Sequence, residues 1–300
     1  MNGVLIIDKS SGLTSHDVVH QARRILGQRS VGHLGTLDPM ATGVLPLVIG
    51  SFTRLAQFYL SSEKTYEGTV RFGFSTDTYD AEGEPTSAPS NPALSREAVE
   101  SAAGKFRGVI SQTPPPFSAK KIKGVPAYKL ARKQQEVRLE PVQVEIKEFE
   151  ILSIDADRAA FRARVGSGTY MRSVAHDMGR ALGCGAHLES LRRTSVAEFT
   201  LADAHTLEKL AALGRPDGSF RISESLDSYV VHPRKLLPGL PSVTADEMAT
   251  AYIRSGRTVN LPELSRARQV KVFSGQHDLI AIATRVAGTL FHPKIVLCAG

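Results

Sequence analysis

The sequence predicts an α+β protein with a large N-terminal domain and a small, β-rich C-terminal domain. Short stretches with the two-residue period of strands are interspersed with segments that have the period of amphipathic helices. With 300 residues, 42% of them hydrophobic, the chain is long enough for more than one core. The stretch YVVHPRKLLPGLPS places three prolines between two patterned regions and predicts a boundary. We therefore expect domains at 1–232 and 236–300.

The first part of the large domain is predicted to alternate strands and helices. Thr14 has capping-box spacing to Asp17, and the amphipathic run that follows ends at Gly27. TYEGTVRFGF alternates as a strand, with Tyr66 on its apolar face. The predicted elements are a buried strand at 4–7, a helix ending at 27, a strand at 65–74 and a helix around 96–105.

Two strand-like stretches, VQVEIKEFEIL and AAFRARV, lie within residues 141–165. A helix with an apolar stripe is predicted after SGTY, and Gly183 ends it. In the small domain we expect a helix at 246–255 and short strands at VKVF, LIAIA and KIVL.

The charge of the chain favours a polyanionic partner. The net charge is +7, and residues 117–138 hold seven Lys and Arg against Glu136 alone. Phe117 and Tyr128 interleave aromatic rings with these cations, which suits phosphate contacts and base stacking; an ordinary solvated loop is the alternative. The cations that we expect on an RNA backbone are Lys120, Lys121, Lys123 and Arg132.

Nothing in the sequence indicates secretion or a membrane span. The N-terminal apolar run, 4–7, is too short for a signal sequence, and Pro46 interrupts the stretch VLPLVIG. Two cysteines give no disulfide framework and suit a reducing compartment. We expect a cytoplasmic protein.

No motif indicates a metal or a cofactor. HDVVH at 16–20 imitates a zinc motif, but both histidines lie on a basic helix face and no third ligand is marked. DTYDAEG at 77–83 fails as a calcium loop, because Tyr79 and Ala81 occupy ligand positions. Phosphate-loop glycine motifs are lacking. We therefore predict no metal and no cofactor.

One carboxylate stands out in the stretch GHLGTLDPMATGVLPLVIG. An Asp–Pro pair is common where helices start, so the pattern by itself favours Asp38 as an N-cap and Pro39 as the first helical residue. A catalytic carboxylate is the alternative.

Several stretches, in order, resemble the tRNA pseudouridine synthase B family, the bacterial enzymes that modify uridine 55 in the tRNA T-arm. They are DKSSGLTSHDVV, GHLGTLDPMATGVLP, KTYEG, TDTYDAEG, PPPFSAKKIKGVPAYKLAR, GTYMRSVAHDMG and GCGAHLESLRR. The resemblance covers about residues 1–195, and the tail resembles the small PUA-type RNA-binding domain of many members. It implies a pseudouridine synthase fold, in which helices flank a mixed, largely antiparallel sheet.

The resemblance also implies roles for individual residues. Asp38 corresponds to the catalytic aspartate, as nucleophile or base, so any capping role would be secondary. Arg172 should pair with Asp38, and Tyr66 should stack on the target uracil. Tyr170 and Leu191 should line the base pocket, and His33 should contact tRNA near the flipped base. His176 falls at a position that we do not expect to be essential.

The resemblance implies an isomerase that acts on tRNA. We expect it to act as a monomer, without an obligate protein partner or a membrane. Other interpretations remain. A non-catalytic RNA-binding or RNA-chaperone protein would explain the charge without Asp38. A guide-RNA-dependent relative shares GTLDP but should carry extra arms for protein partners. A magnesium-dependent phosphohydrolase would use LIIDKSSGLTS, although Ser10 replaces its second acid.

Overall fold

The structure, a computed structural model, describes residues 1–118, 120–122, 124–131, 133, 135, 137, 139–212 and 228–297. The strands are β1 (Gly3–Lys9), β2 (Val31–His33), β3 (Thr42–Ile49), β4 (Lys64–Phe72), β5 (Gly108–Gln112), β6 (Lys121–Ile122), β7 (Val125–Pro126), β8 (Val142–Asp155), β9 (Arg158–Val165), β10 (Ala186–Val196), β11 (Phe199–Thr200), β12 (Ser242–Ala245), β13 (Val259–Asn260), β14 (Gln269–Ser274), β15 (Asp278–Ala287) and β16 (Leu290–Val296).

The helices are α1 (Ser15–Leu26), α2 (Ala56–Tyr59), α3 (Arg96–Gly104), α4 (Ala127–Ala131), α5 (Met171–Leu182), α6 (Leu207–Ala211) and α7 (Glu247–Arg254). Short 3-10 helices span Gly50–Leu55, Leu201–Asp203 and Pro233–Lys235. The mixture of helices and strands confirms the predicted α+β class.

The chain folds into two units, each formed from separated segments. Unit 1 comprises Met1–Leu37, Val44–Leu60 and Glu198–Gly300, and unit 2 comprises Asp38–Gly43 and Ser61–Ala197. The expected domains, 1–232 and 236–300, are instead continuous stretches of the sequence, and this division stays a prediction.

Unit 2 is built on an antiparallel sheet with the strand order β10-β4-β9-β8-β5. The first residues of β3 join it in parallel, since Thr42 pairs with Arg192 and Gly43 with Arg193 of β10. The sheet is therefore mixed and largely antiparallel, as predicted. Alternation buries one face of β8 and β9, where the Phe149 ring meets Phe161 edge-on at 5.4 Å.

Helix α5 packs on β10 and α3 and carries the sequence GTYMRSVAHDMG at its start. Gly179 lies at the closest approach, because a Cβ there would come within 2.1 Å of the Ala186 nitrogen. The helix ends at Gly183, whose φ of 74° gives the left-handed cap that the sequence predicts.

In unit 1, α1 has the predicted capping box between Thr14 and Asp17 and ends at Gly27. Both histidines of the HDVVH motif are exposed on this helix. The C-terminal part forms a second sheet in the order β12-β14-β15-β16-β13, which confirms the predicted β-rich tail. Its apolar core is closed by α7 and includes Ile253, Val272 and Phe291.

Candidate active site

Asp38 lies in the loop that joins β2 to β3, and no helix follows it. The Ala41 amide donates to the Asp38 carbonyl at 3.1 Å, which makes a short turn, and the chain becomes extended at Thr42. The N-cap interpretation of Asp38 and Pro39 is therefore wrong. Pairing of β3 with its neighbours outweighs the local helix signal of the Asp–Pro pair.

The position of this loop depends on Gly43. Its φ is +101°, and an added Cβ would lie 2.2 Å from the Arg193 carbonyl oxygen. An L side chain rarely adopts this conformation, and none fits in this space. Glycine thus lets the end of the Asp38 loop meet the backbone of β10 directly.

Arg172, in the first turn of α5, contacts both carboxylate oxygens of Asp38. Nε lies 2.9 Å from Oδ2, and Nη2 donates to Oδ1 at 3.1 Å. The Nε–H is not directed at its oxygen, so only the Nη2 contact has hydrogen-bond geometry. The Arg172 side chain is 5% exposed and that of Asp38 is 32% exposed, so the carboxylate keeps access to solvent.

The buried guanidinium has three further partners in unit 2. Nη1 lies 3.3 Å from Asp80 Oδ2 and donates to the Thr78 carbonyl at 3.1 Å. Nη2 donates to the Phe117 carbonyl at 2.9 Å. These contacts explain why Arg172 is buried, although it lies away from the apolar stripe of its helix.

Asp80 is held more firmly than Asp38. Its Oδ1 accepts from the Thr78 hydroxyl at 2.6 Å and from the Glu82 amide at 3.1 Å, and its side chain is 5% exposed. One buried arginine thus lies between a fixed, enclosed carboxylate and a carboxylate that is partly open.

Tyr66 and Leu191 lie on the same face of the sheet. Tyr66 of β4 is opposite Arg193, and Leu191 of β10 is opposite Gly68, two residues from Tyr66. Both side chains are buried at 8% exposure. The pairing register therefore makes a phenol and a leucine near neighbours on adjacent strands.

Tyr170 precedes α5 and is fixed by a buried glutamine. The Tyr170 amide donates to Gln112 Oε1 at 2.8 Å, and Gln112 Nε2 donates to the Tyr170 carbonyl at 3.1 Å. Burial raises the pKa of the Tyr170 phenol, and the negative charge of Asp38 adds to this effect. The phenol therefore stays protonated at neutral pH.

The remaining candidate residues belong to other elements of the chain. His33 ends β2 in unit 1. Lys120 precedes the hairpin formed by β6 and β7, Lys121 is the first residue of β6, and both are exposed. Lys123 and Arg132 lie outside the described residues.

Comparison with known proteins identifies the family. Residues 23–171 match the TruB family pseudouridylate synthase (N terminal domain), and residues 172–231 match the tRNA pseudouridylate synthase B C-terminal domain. The tRNA pseudouridine synthase B of Solibacter usitatus (strain Ellin6076) is 50% identical over 300 residues, which cover 99% of this chain and 100% of that relative. The chain belongs to the TruB family of pseudouridylate synthases.

More distant comparisons agree with this family. The tRNA pseudouridine synthase B of Aquifex aeolicus (strain VF5) is 39% identical over 299 residues, covering 99% of this chain and 100% of the relative. A solved structure, the crystal structure of a Cbf5-Nop10-Gar1 complex, has a TM-score of 0.71 and 26% identity. The match covers 99% of this chain and 85% of that chain. The predicted family, pseudouridine synthase fold and enzyme class, an isomerase, are confirmed.

Asp80 is the member of this candidate site that sequence reasoning missed. The segment TDTYDAEG fails as a calcium loop and forms part of the family resemblance, but neither observation gives its acids a role. The signal for Asp80 in the sequence is that this segment resembles the family, as the segment GTYMRSVAHDMG with Arg172 also does. A contact between segments so far apart in sequence has no local pattern.

The described part of the chain contains no cluster of three or more His, Cys, Asp or Glu side chains that could hold a metal. None of the helices described is both long enough and apolar enough to cross a membrane. That the reaction needs no metal or cofactor stays a prediction.

Proposed function

We propose that this enzyme converts uridine 55 in the T-arm of tRNA into pseudouridine, with Asp38 as the catalytic carboxylate. The printed names of its relatives, tRNA pseudouridine synthase B, support tRNA as the substrate. The observation that carries the proposal is the Asp38–Arg172 ion pair, in which a buried guanidinium holds a carboxylate that remains one-third exposed.

The arrangement suits the bond changes of this isomerisation. The C1′–N1 glycosidic bond of uridine breaks, the uracil turns, and a C1′–C5 bond forms; C5 loses a proton and N1 gains one. Asp38 attacks the sugar or removes a proton from it, and either role needs an ionised carboxylate that is accessible on one side. Arg172 supplies the positive charge and the direction from the enclosed side.

The target base must leave the stacked T-arm before it can reach Asp38. We assign stacking on the flipped uracil to Tyr66, and the sides of the base pocket to Tyr170 and Leu191. Aromatic and apolar side chains compensate the lost base stacking without reading a sequence. The burial of Tyr66 and Leu191 and the rigid support of Tyr170 by Gln112 favour a preformed pocket.

We propose that the tRNA backbone is gripped outside this pocket. Lys120 and Lys121 are exposed and suited to phosphates, and we assign the same role to Lys123 and Arg132, with His33 near the flipped base. Replacing Lys120 and Lys121 by alanine should lower the salt slope of tRNA binding by about one unit per lost phosphate contact. An unchanged slope would contradict this grip.

We assign the catalytic domain to residues 1–232 and a PUA-like RNA-binding domain to residues 236–300. The enzyme is proposed to act in the cytoplasm as a monomer, without a protein partner. A protein truncated after residue 235 should therefore keep its single-turnover rate at saturating concentration and bind tRNA more weakly.

The direct test is to incubate the protein with an unmodified tRNA transcript in EDTA, after the RNA has been folded, and to map pseudouridine at nucleotide resolution. We expect one new pseudouridine, at position 55. A matched transcript with cytidine at position 55 should gain none. Modification only at another position would contradict the assignment, and strict dependence on added zinc would contradict the metal-free mechanism.

A further inference from the structure

The rings of Tyr79 and His176 stack face to face beside the Arg172 network. Their centroids are 3.8 Å apart, and their planes differ by 13°. Tyr79 lies in the loop between β4 and α3, and His176 lies on α5. This stack joins two segments that both contribute to the candidate site.

Tyr79 lies directly between the two loop residues that contact Arg172. The Thr78 carbonyl accepts from Nη1 at 3.1 Å, and Asp80 Oδ2 lies 3.3 Å from the same nitrogen. Any rotation of the backbone at Tyr79 would therefore move both groups relative to the guanidinium.

The backbone at Tyr79 requires support from its surroundings. Its φ of +65° is in the left-handed region, which a bulky L residue rarely adopts. On the β10 side, the Leu188 amide donates to the Tyr79 carbonyl and the Ala81 amide to the Leu188 carbonyl, both at 3.0 Å. These bonds hold the loop backbone on the strand. On the side that faces α5, the contact is made by the Tyr79 ring.

His176 lies where it can support the loop from the α5 side. It follows Arg172 by four residues, so the two side chains project from successive turns on one side of α5. The loop is thereby fixed to one helix at two points, by the ring of Tyr79 and by the Thr78 and Asp80 oxygens. Burial lowers the pKa of His176 and raises that of Tyr79, which keeps both rings neutral at neutral pH.

We propose that the Tyr79–His176 stack is a positioning device that holds Thr78 and Asp80 against Arg172, and through Arg172 aims Asp38. The inference rests on the proposed catalytic role of Asp38. It assigns a function in the reaction to His176, which the family resemblance does not mark as essential.

The first test compares His176→Ala with His176→Phe in the full-length protein, by single-turnover pseudouridine formation at saturating enzyme. His176→Ala should slow the reaction roughly three- to tenfold, from the usual strength of an aromatic pair, without changing the Kd for tRNA. His176→Phe restores a stacking ring and should recover most of the rate. The matched control, His205→Ala, removes a histidine from its contact with Tyr229 in unit 1 and should leave the rate unchanged.

The second test asks whether the stack acts through Asp80. Asp80→Asn and His176→Ala should slow the reaction by less in combination than the product of their separate effects, because both act on one contact. Thermal melting checks that each variant is folded; if His176→Ala is not, Tyr79→Leu removes the stack from the other side.

A wild-type rate in folded His176→Ala or Tyr79→Leu would overturn the inference and show that the bonds to β10 are sufficient. Fully independent effects of the two substitutions, or a His176→Phe variant no faster than His176→Ala, would overturn it as well. The proposed function fails on a different result, namely normal turnover by Asp38→Asn, so the two failures are distinguishable.

Discussion

Arg172 and Arg164, both in unit 2, each lie between two carboxylates, and they differ chiefly in their access to water. Arg172 contacts Asp38 and Asp80 with a side chain that is 5% exposed. Arg164 of β9 contacts Glu63 at 2.9 Å and Glu148 at 2.6 Å, but its side chain is 40% exposed. The distances are similar, so distance alone does not distinguish the two clusters.

The comparison teaches that burial determines whether an ion pair is held in one geometry or exchanges with water. Water competes for the Arg164 contacts and screens them, so such pairs contribute little to stability and can be exchanged. The Arg172 side chain has lost its water and must keep all its protein partners. A fixed cation of this kind can hold a catalytic carboxylate in one direction, whereas the surface cluster cannot.

The largest effect should come from Arg172. Arg172→Lys keeps a positive charge but not the planar donors that reach Asp38, Asp80 and two carbonyls, so we expect a roughly 10- to 100-fold slower single-turnover reaction. Arg172→Ala should lose more activity and also ~3 kcal/mol or more of stability, because it leaves Asp80 buried without its cation. A wild-type rate in Arg172→Lys would refute the pairing as a catalytic device.

A smaller effect is expected from Asp80→Asn. The amide keeps an oxygen for Thr78 and Glu82 but removes the charge that faces Arg172 Nη1, so the guanidinium should hold Asp38 less firmly. We expect about tenfold slower single turnover with unchanged affinity for tRNA. Glu148→Gln makes the same change at Arg164 and should have no effect on the rate; equal losses in both variants would count against the comparison.

Lys64 of β4 sharpens the comparison, because it is a half-buried cation with another cation, Arg193, as its charged neighbour. Burial, and secondarily the charge of Arg193, lowers its pKa to about 8. A folded-state pKa below the unfolded value of 10.5 means that the charged form disfavours folding. This cost is complete below about pH 8 and disappears as the pH rises towards 10.5.

Lys64→Met removes this charge. At pH 7 the variant should be more stable than the parent by about 1 kcal/mol, after allowance for solvent screening of a half-buried side chain. Urea unfolding at pH 7 and at pH 10 measures the difference, which should shrink at the higher pH. An advantage that grows with pH would contradict the assigned direction.

The smallest effect is expected from Arg164→Ala. Its partners can be solvated in its absence, so the melting temperature should change by no more than about 2 °C and the rate of pseudouridine formation should not change. High salt should erase whatever difference remains. A large loss of stability would show that the surface cluster is not exchangeable.

Local signals in the sequence predict part of this fold correctly. The capping box of α1, the glycine ends of α1 and α5, and the alternation in β4 all depend on residues close in sequence. Strands β3 and β10 have no such local signal, because VLPLVIG does not alternate and contains Pro46, and AHLESLRRTSV has no clean alternation.

The candidate site shows the same contrast between local signals and contacts of distant residues. The helix start predicted at Asp38 is wrong because strand pairing at Thr42 and Gly43 determines the local backbone. The resemblance to the family selected Asp38 and Arg172, although they are 134 residues apart. The sequence does not predict a role for Asp80, because that role comes from a tertiary contact with Arg172.

The central claim is that Asp38 is the catalytic carboxylate, and Asp38→Asn tests it most directly. The substitution preserves size and removes the charge, so tRNA binding should stay within about twofold of wild type while single turnover at saturating enzyme becomes undetectable. Pseudouridine formation and tRNA affinity are measured on the same preparations of folded protein. Turnover close to the wild-type rate would contradict the account.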